Sequence, residues 1–270
     1  LAEIAAERVQ SELNYLLSSS RGTAQLQAAW QDGLFQKWFP DATAEGLQQI
    51  ATIDQTARRF KAEWSEFFEL LQQRIRTTQH TGKPTAAKEI EASGSTRNAL
   101  TTAKLASLLS ADPAIAETQL WQLKYSRAEI QAVITVLKAL PTLRAMVTQF
   151  PWSLAQQYFF FQSVGVVFPA VAVSGIAHGF PPHQMGYLLE RYLDRQDPVA
   201  HPTPLVSGQD LIMGLGISPS PQIGKLLATL QLARAEGKIH SRQEALTLAA
   251  TLLQEGALTE RYHALQHNGE

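Results

Sequence analysis

Apolar residues recur every three or four positions through most of this chain, the spacing that gathers one face of an α-helix. Val9, Leu13 and Leu16 predict an amphipathic helix over 1–17. Leu26 and Trp30 predict another, ending at Asp32-Gly33. Ile50, Ile53, Ala57, Phe60, Trp64, Phe67 and Leu71 form one stripe and predict a single long helix from Thr43 to Arg76. Short helices are expected at Leu100–Leu109 and Ala114–Leu123, on either side of Asp112-Pro113. Ser126 and Glu129 have capping-box spacing, in which each side chain bonds the other's backbone N–H. They open a helix that buries Ile130, Val133, Ile134 and Leu137 and that Pro141 is expected to end. Pro151, Pro169 and Pro181-Pro182 punctuate further short helices, the last from His183 to Arg195 with Met185, Leu188, Leu189 and Tyr192 inside. No segment alternates apolar and polar over more than four residues, so no substantial sheet is expected. The fold class is all-α.

Composition marks boundaries on this helical pattern. Residues 77–98 are polar and rich in Gly, Ser and Thr, and read as a flexible linker. Asp197 to Pro204 holds three prolines and reads as a stiff linker. The expected segments are a helical domain at 1–76, a body at 99–196 and a tail at 205–270, set out as an elongated array. Leu34, Phe35, Trp38 and Phe39 put four large apolar side chains in six residues and read as a core plug.

The tail carries the most specific local signals. Ser207 or Gly208 can start a helix that buries Leu211, Ile212 and Leu215. Gly216 then suits a stop that needs φ above zero. Pro219 and Pro221 suit a new helix start, where a missing N–H costs nothing. Gly224, in the first turn of that helix, leaves backbone uncovered, and Lys225 puts a full charge beside the partial positive charge of the helix end. Gly237-Lys238-Ile239-His240 reads as a stop, and Ser241-Arg242-Gln243-Glu244 as a capping box that restarts the chain.

This block resembles the tail of the bacterial class II tRNA nucleotidyltransferases, the CCA-adding and poly(A) polymerase family. The matching elements are Ser207 to Leu211, Pro219 to Gly224, Gly237 to Ile239 and Ser241 to Ala245. Ser220 departs from the glycine usual there. Glu7-Arg8-Val9-Gln10-Ser11-Glu12-Leu13 resembles the motif that opens the neck of the same family. The resemblance implies that Glu7, Arg8 and Glu12 support the joint between head and neck. It implies tRNA as partner, gripped at acceptor stem and elbow by neck, body and tail. It implies a catalytic head of the same polypeptide that uses Mg²⁺ with CTP or ATP, and a cytoplasmic setting. The family's templating Glu-Asp-x-x-Arg motif is missing from this sequence and is expected before Leu1.

Charge adds little. The net charge is −1, and the first hundred residues hold 11 basic and 12 acidic side chains. RNA contact therefore has to come from local clustering. The expected RNA-binding residues are Gly224, Lys225, Lys238, His240 and Arg242, since phosphate contacts need a cation or a helix N-terminus. Arg58, Arg59 and Lys61 alternate with carboxylates and read as a solvated face. Cysteine is absent, which removes thiolate chemistry and disulfides. His178 and His183 lack a third ligand, so no metal site is expected, and no catalytic set is found. Gly94-Ser95 resembles the turn that opens a nucleotidyltransferase triphosphate site, but the next carboxylate is a solitary Asp112. The apolar run Tyr158–Ala177 is interrupted by Pro169 and polar residues and reads as buried helix, with no membrane partner. A second reading takes the chain as a helical scaffold whose stripe between residues 50 and 71 binds a protein.

Overall fold

A computed structural model describes residues 5–19, 22–73, 75 and 98–254. The sequence 76–97, including the expected linker and the Gly94 turn, lies outside the described residues apart from Asn98 at its end. Among the described residues the chain is α-helical, with short 3-10 turns and no strand. In chain order the helices are α1 (Ala6–Ser18), α2 (Gly22–Gln31), α3 (Ala44–Glu63), α4 (Ser65–Gln72), α5 (Ala99–Ala106), α6 (Pro113–Gln122) and α7 (Arg127–Met146). They continue as α8 (Leu154–Val164), α9 (Phe168–Ala177), α10 (Pro182–Leu193), α11 (Gly208–Leu215), α12 (Pro221–Ala235) and α13 (Arg242–Gln254).

The chain divides into two compact units, one of residues 1–148 and 164–189, the other of residues 149–163 and 190–270. In the first unit α9 is the centre. Residues Phe168 to Gly175 are all buried, and α3, α5 and α7 pack around them. Gly175 permits the close approach of α7, because a Cβ there would stand 2.7 Å from Leu143 Cδ1. Gly46 lets the start of α3 rest on α5's end, since a Cβ would fall 2.1 Å from the Ser107 carbonyl oxygen. The helices before and after residues 77–98 thus share one core.

The apolar stripe of residues 50–71 faces that core. Ile50, Ile53, Phe67 and Leu71 are fully buried, and Phe67 meets Phe60 and Phe168 edge-on at ring distances of 5.1 and 6.2 Å. Burying each such side chain is worth about 1.5–3 kcal/mol. The scaffold reading is therefore corrected: the stripe is consumed by the chain's own packing. The single long helix is corrected too. Trp64 leaves helical geometry (φ −139°, ψ 62°) and separates α3 from α4, so that Phe60 and Phe67 can both turn inward. Pro141 does not end its helix; α7 runs on to Met146, with the proline ring on the exposed side. The plug at 34–39 is mostly surface: Phe39 is buried, Phe35 and Trp38 are half-buried, and Leu34 is 42% exposed. Arg127–Gln149 and Leu154–Ala177 are long and apolar enough to cross a membrane. Within the second stretch, the segment around α9 instead forms the core just described.

A buried polar cluster holds the first unit's N-terminal helices. Lys104 of α5 is 2% exposed, and its Nζ lies 2.5 Å from Asp54 Oδ1 and donates to the Leu17 carbonyl at 2.8 Å. Thr23 donates to the other Asp54 oxygen at 3.0 Å. One amine thus ties α1, α3 and α5, with α2 attached through the shared carboxylate.

In the second unit Asp197 fixes the proline-rich segment. It accepts the Val199 and Ala200 N–H groups at 2.8 Å and pairs with Arg191 at 2.9 Å. The His201 ring nitrogen Nε2 lies 2.6 Å from the Tyr192 carbonyl oxygen. Burial pushes the Tyr192 phenol up to about 12. Beyond this segment α11, α12 and α13 enclose a small core of Val206, Leu211, Leu226, Leu230, Ile239 and Leu252 with neighbouring alanines.

Candidate nucleic-acid interface

The tail's loops follow from its turn residues. Ser207 is the N-cap of α11: its hydroxyl accepts from Asp210 N–H at 3.1 Å, while the Asp210 carboxylate accepts from Ser207 N–H at 2.8 Å and its hydroxyl at 2.7 Å. Gly216 takes the left-handed conformation, φ 64°, and stops the helix. Pro221 then occupies the first position of α12, behind Ser220, whose side chain makes no capping bond. Gly237 (φ 71°) reverses the chain after α12. Ser241 starts α13 by accepting from Glu244 N–H at 3.2 Å, and Glu244 accepts from His240 N–H at 2.8 Å.

Gly224 is open: a Cβ built there meets nothing within 4 Å. The backbone of α12's first turn is therefore accessible to another surface. Lys225, next to it, is half-buried. Lys238, His240 and Arg242 are exposed and flank the turn at the other end of α12. The helix has 15 residues, so these two groups are separated by about 20 Å along its axis. The structure thus gathers three of the expected residues at one turn and leaves Gly224 and Lys225 apart.

Lys238 and Arg242 each meet a carboxylate. Lys238 Nζ lies 2.5 Å from Glu236 Oε2. Arg242 donates to Asp210 Oδ1 at 2.7 Å, across 32 residues of sequence. The Ser207 hydroxyl and N–H, followed by Arg242, hold the Asp210 carboxyl far below the usual carboxylate range. The His240 N–H and the Ser241 hydroxyl lower Glu244 in the same sense. Between α12 and α13 lies an open, largely apolar groove of about 700 Å³, with Leu232, Ile239 and Leu248 on its floor and Lys238 and Glu244 among its lining residues.

At the other end of the sequence, Glu7, Arg8 and Glu12 lie exposed on α1. Arg8 and Glu12 border a second apolar groove, about 240 Å³, whose wall includes Leu13, Phe35, Trp38 and Phe39. This is where the expected plug went: it lines a surface recess beside Arg8 and Glu12. His178 caps α9, its Nδ1 2.7 Å from the Ser174 carbonyl oxygen. Among the described residues no three His, Asp or Glu side chains converge to hold a metal ion. Sequence reading missed Lys104, Asp54 and the Arg242–Asp210 pair. The sole local trace of the pair is Asp210's capping position, and nothing local announces the other two.

Known proteins match in the same order as the motifs. Residues 95–250 match a family model described as tRNA nucleotidyltransferase domain 2, putative. Residues 1–45 match one described as a probable RNA and SrmB-binding site of polymerase A. The chain is 40% identical over 253 residues to the CC-adding tRNA nucleotidyltransferase of Synechocystis sp., an alignment covering 92% of this chain and 55% of that protein. The chain thus spans about half the length of that curated relative. No solved structure matches it significantly. The first family model alone covers more than half of the chain and contains both the core helix α9 and the tail turns; the chain belongs to the tRNA nucleotidyltransferase family.

Proposed function

We propose that this chain is the tRNA-binding part of a tRNA nucleotidyltransferase that extends the tRNA 3′ end with C, A or both. It grips the acceptor stem and elbow, in the cytoplasm, while a catalytic head of the same polypeptide performs the transfer from CTP or ATP. The family match across body and tail carries this reading. The open first turn of α12 supports it, because uncovered backbone at a helix N-terminus suits a phosphate. Addition of CC in particular is favoured by the 40% identical relative, which bears that name. Magnesium does not fit the described residues, which offer no cluster of acids. In this reading the metal and both nucleotides are held by the head, and this chain contributes grip and orientation.

A gel shift tests the proposal. The chain should retain whole tRNA, or a minihelix of acceptor stem and T arm, in preference to an unrelated hairpin. Retention should weaken steeply from about 50 to 200 mM salt as counterions are displaced. Equal affinity for both RNAs would end the reading.

A further inference from the structure

Asp210 is an acid in a tail expected to hold RNA, and its surroundings explain why it is there. Its two oxygens do different things. Oδ2 closes the capping box of α11 through Ser207 N–H and Oγ, at 2.8 and 2.7 Å. Oδ1 receives the Arg242 guanidinium at 2.7 Å. Arg242 is the first residue of α13, so the carboxylate joins the N-terminal turns of two helices far apart in sequence. The same turn of α11 also bears on α12. A Cβ at Gly208 would stand 3.3 Å from Ile223 Cγ2, next to Gly224. The start of α11 is therefore wedged between the first turn of α12 and the first turn of α13.

We propose that Asp210 and Arg242 are positioning residues for RNA binding, which hold the turn after α12 against the start of α11, and so in register with the first turn of α12, and do not themselves touch the RNA. The inference rests on the tRNA-binding reading and deepens it. Arg242 directs its guanidinium to Asp210, and in this proposal that bond, rather than a phosphate contact, is its role. The carboxylate, in turn, is shielded by three donors. What reaches RNA is what the brace holds in place: the open backbone at Gly224, with Lys225, and the turn carrying His240.

The expectation runs against charge counting. Deleting an acid from an RNA-binding surface ordinarily tightens binding, because a repulsion is lost. Here Asp210→Asn should weaken tRNA binding by about tenfold, as should Arg242→Gln, and the double variant should be no weaker than either single one. The slope of log affinity against log salt should stay that of the unaltered chain, since no phosphate contact is removed. Arg242→Lys should recover part of the loss. Circular dichroism of each full-length variant checks that the helices remain.

The proposal is overturned if Asp210→Asn tightens tRNA binding while Arg242→Gln lowers the salt slope by about one unit, the signature of a direct phosphate contact. Additive losses in the double variant overturn it as well. Should the unaltered chain show no preference for tRNA, the functional reading fails first and the brace has nothing to position. That result is distinct from a chain that binds tRNA and ignores the pair.

Discussion

At the scale of single residues, the most consequential group is Lys104. Its amine exchanges water for the Asp54 carboxylate and the Leu17 carbonyl. Such a pair is a weak source of net stability, but breaking it strands a buried charge. Lys104→Ala should therefore cost about 3 kcal/mol in denaturant unfolding of the whole chain, whereas Lys104→Met combined with Asp54→Leu should recover most of that. Acid acts on different residues. The Asp210 and Glu244 carboxyls are depressed below their ordinary values of 3.8 and 4.5. In the unfolded chain they take up protons at a higher pH than in the folded one. Their contribution is complete above those values and is lost as pH falls through the folded ones. Thermal melts of the tail should weaken as pH drops below about 4, and Asp210→Asn should flatten that dependence. Tyr192 works from the other side, since its phenol keeps its proton to about 12. Its contribution is present below 10, the unfolded value, and disappears as pH climbs from there to about 12.

At the scale of elements, local signals were legible and distant ones were not. Ser126 with Glu129 forms the capping box its spacing predicts, and Ser207 starts its helix as expected, closing a further box with Asp210 that the sequence reading did not include. Gly216 and Gly237 adopt positive φ, as helix stops require. The stripe on α3 and α4 was readable as a helical face, but not its interruption at Trp64, nor that Phe67 beyond it packs on Phe168 about a hundred residues later. Pro141 misled for a related reason: packing of α7 on α9 outweighs the bond that proline removes. Replacing it with alanine should restore that bond and stabilise the chain by about 1–2 kcal/mol. Gly46 should behave oppositely. Gly46→Ala drives a methyl group against the Ser107 carbonyl, with a cost of about 1–3 kcal/mol. Both changes are measurable by urea unfolding of the full chain.

At the scale of the whole molecule, the helical class and the terminal motifs could be read from sequence, because each is written in nearby residues. The sharing of one core by helices on both sides of residues 77–98 could not, since no local pattern reports which helix faces which. The same limit governs the candidate interface. Gly224, Lys238, His240 and Arg242 are exposed beside helix ends and Lys225 is half-buried, but the partner of Arg242, 32 residues away, could not be read from any local pattern. The apolar face of residues 50–71 illustrates the converse. It had the look of a docking surface and is interior. Phe67→Ala should accordingly destabilise the fold by about 3–5 kcal/mol rather than alter any association.

The enclosure of Lys104 has a further practical outcome. A primary amine sealed from solvent cannot be acylated while the helices around it stay closed. Surface lysines such as Lys138 carry no such protection. The delay between modification of the two, followed by mass spectrometry, would serve as a clock for how often α1, α3 and α5 part.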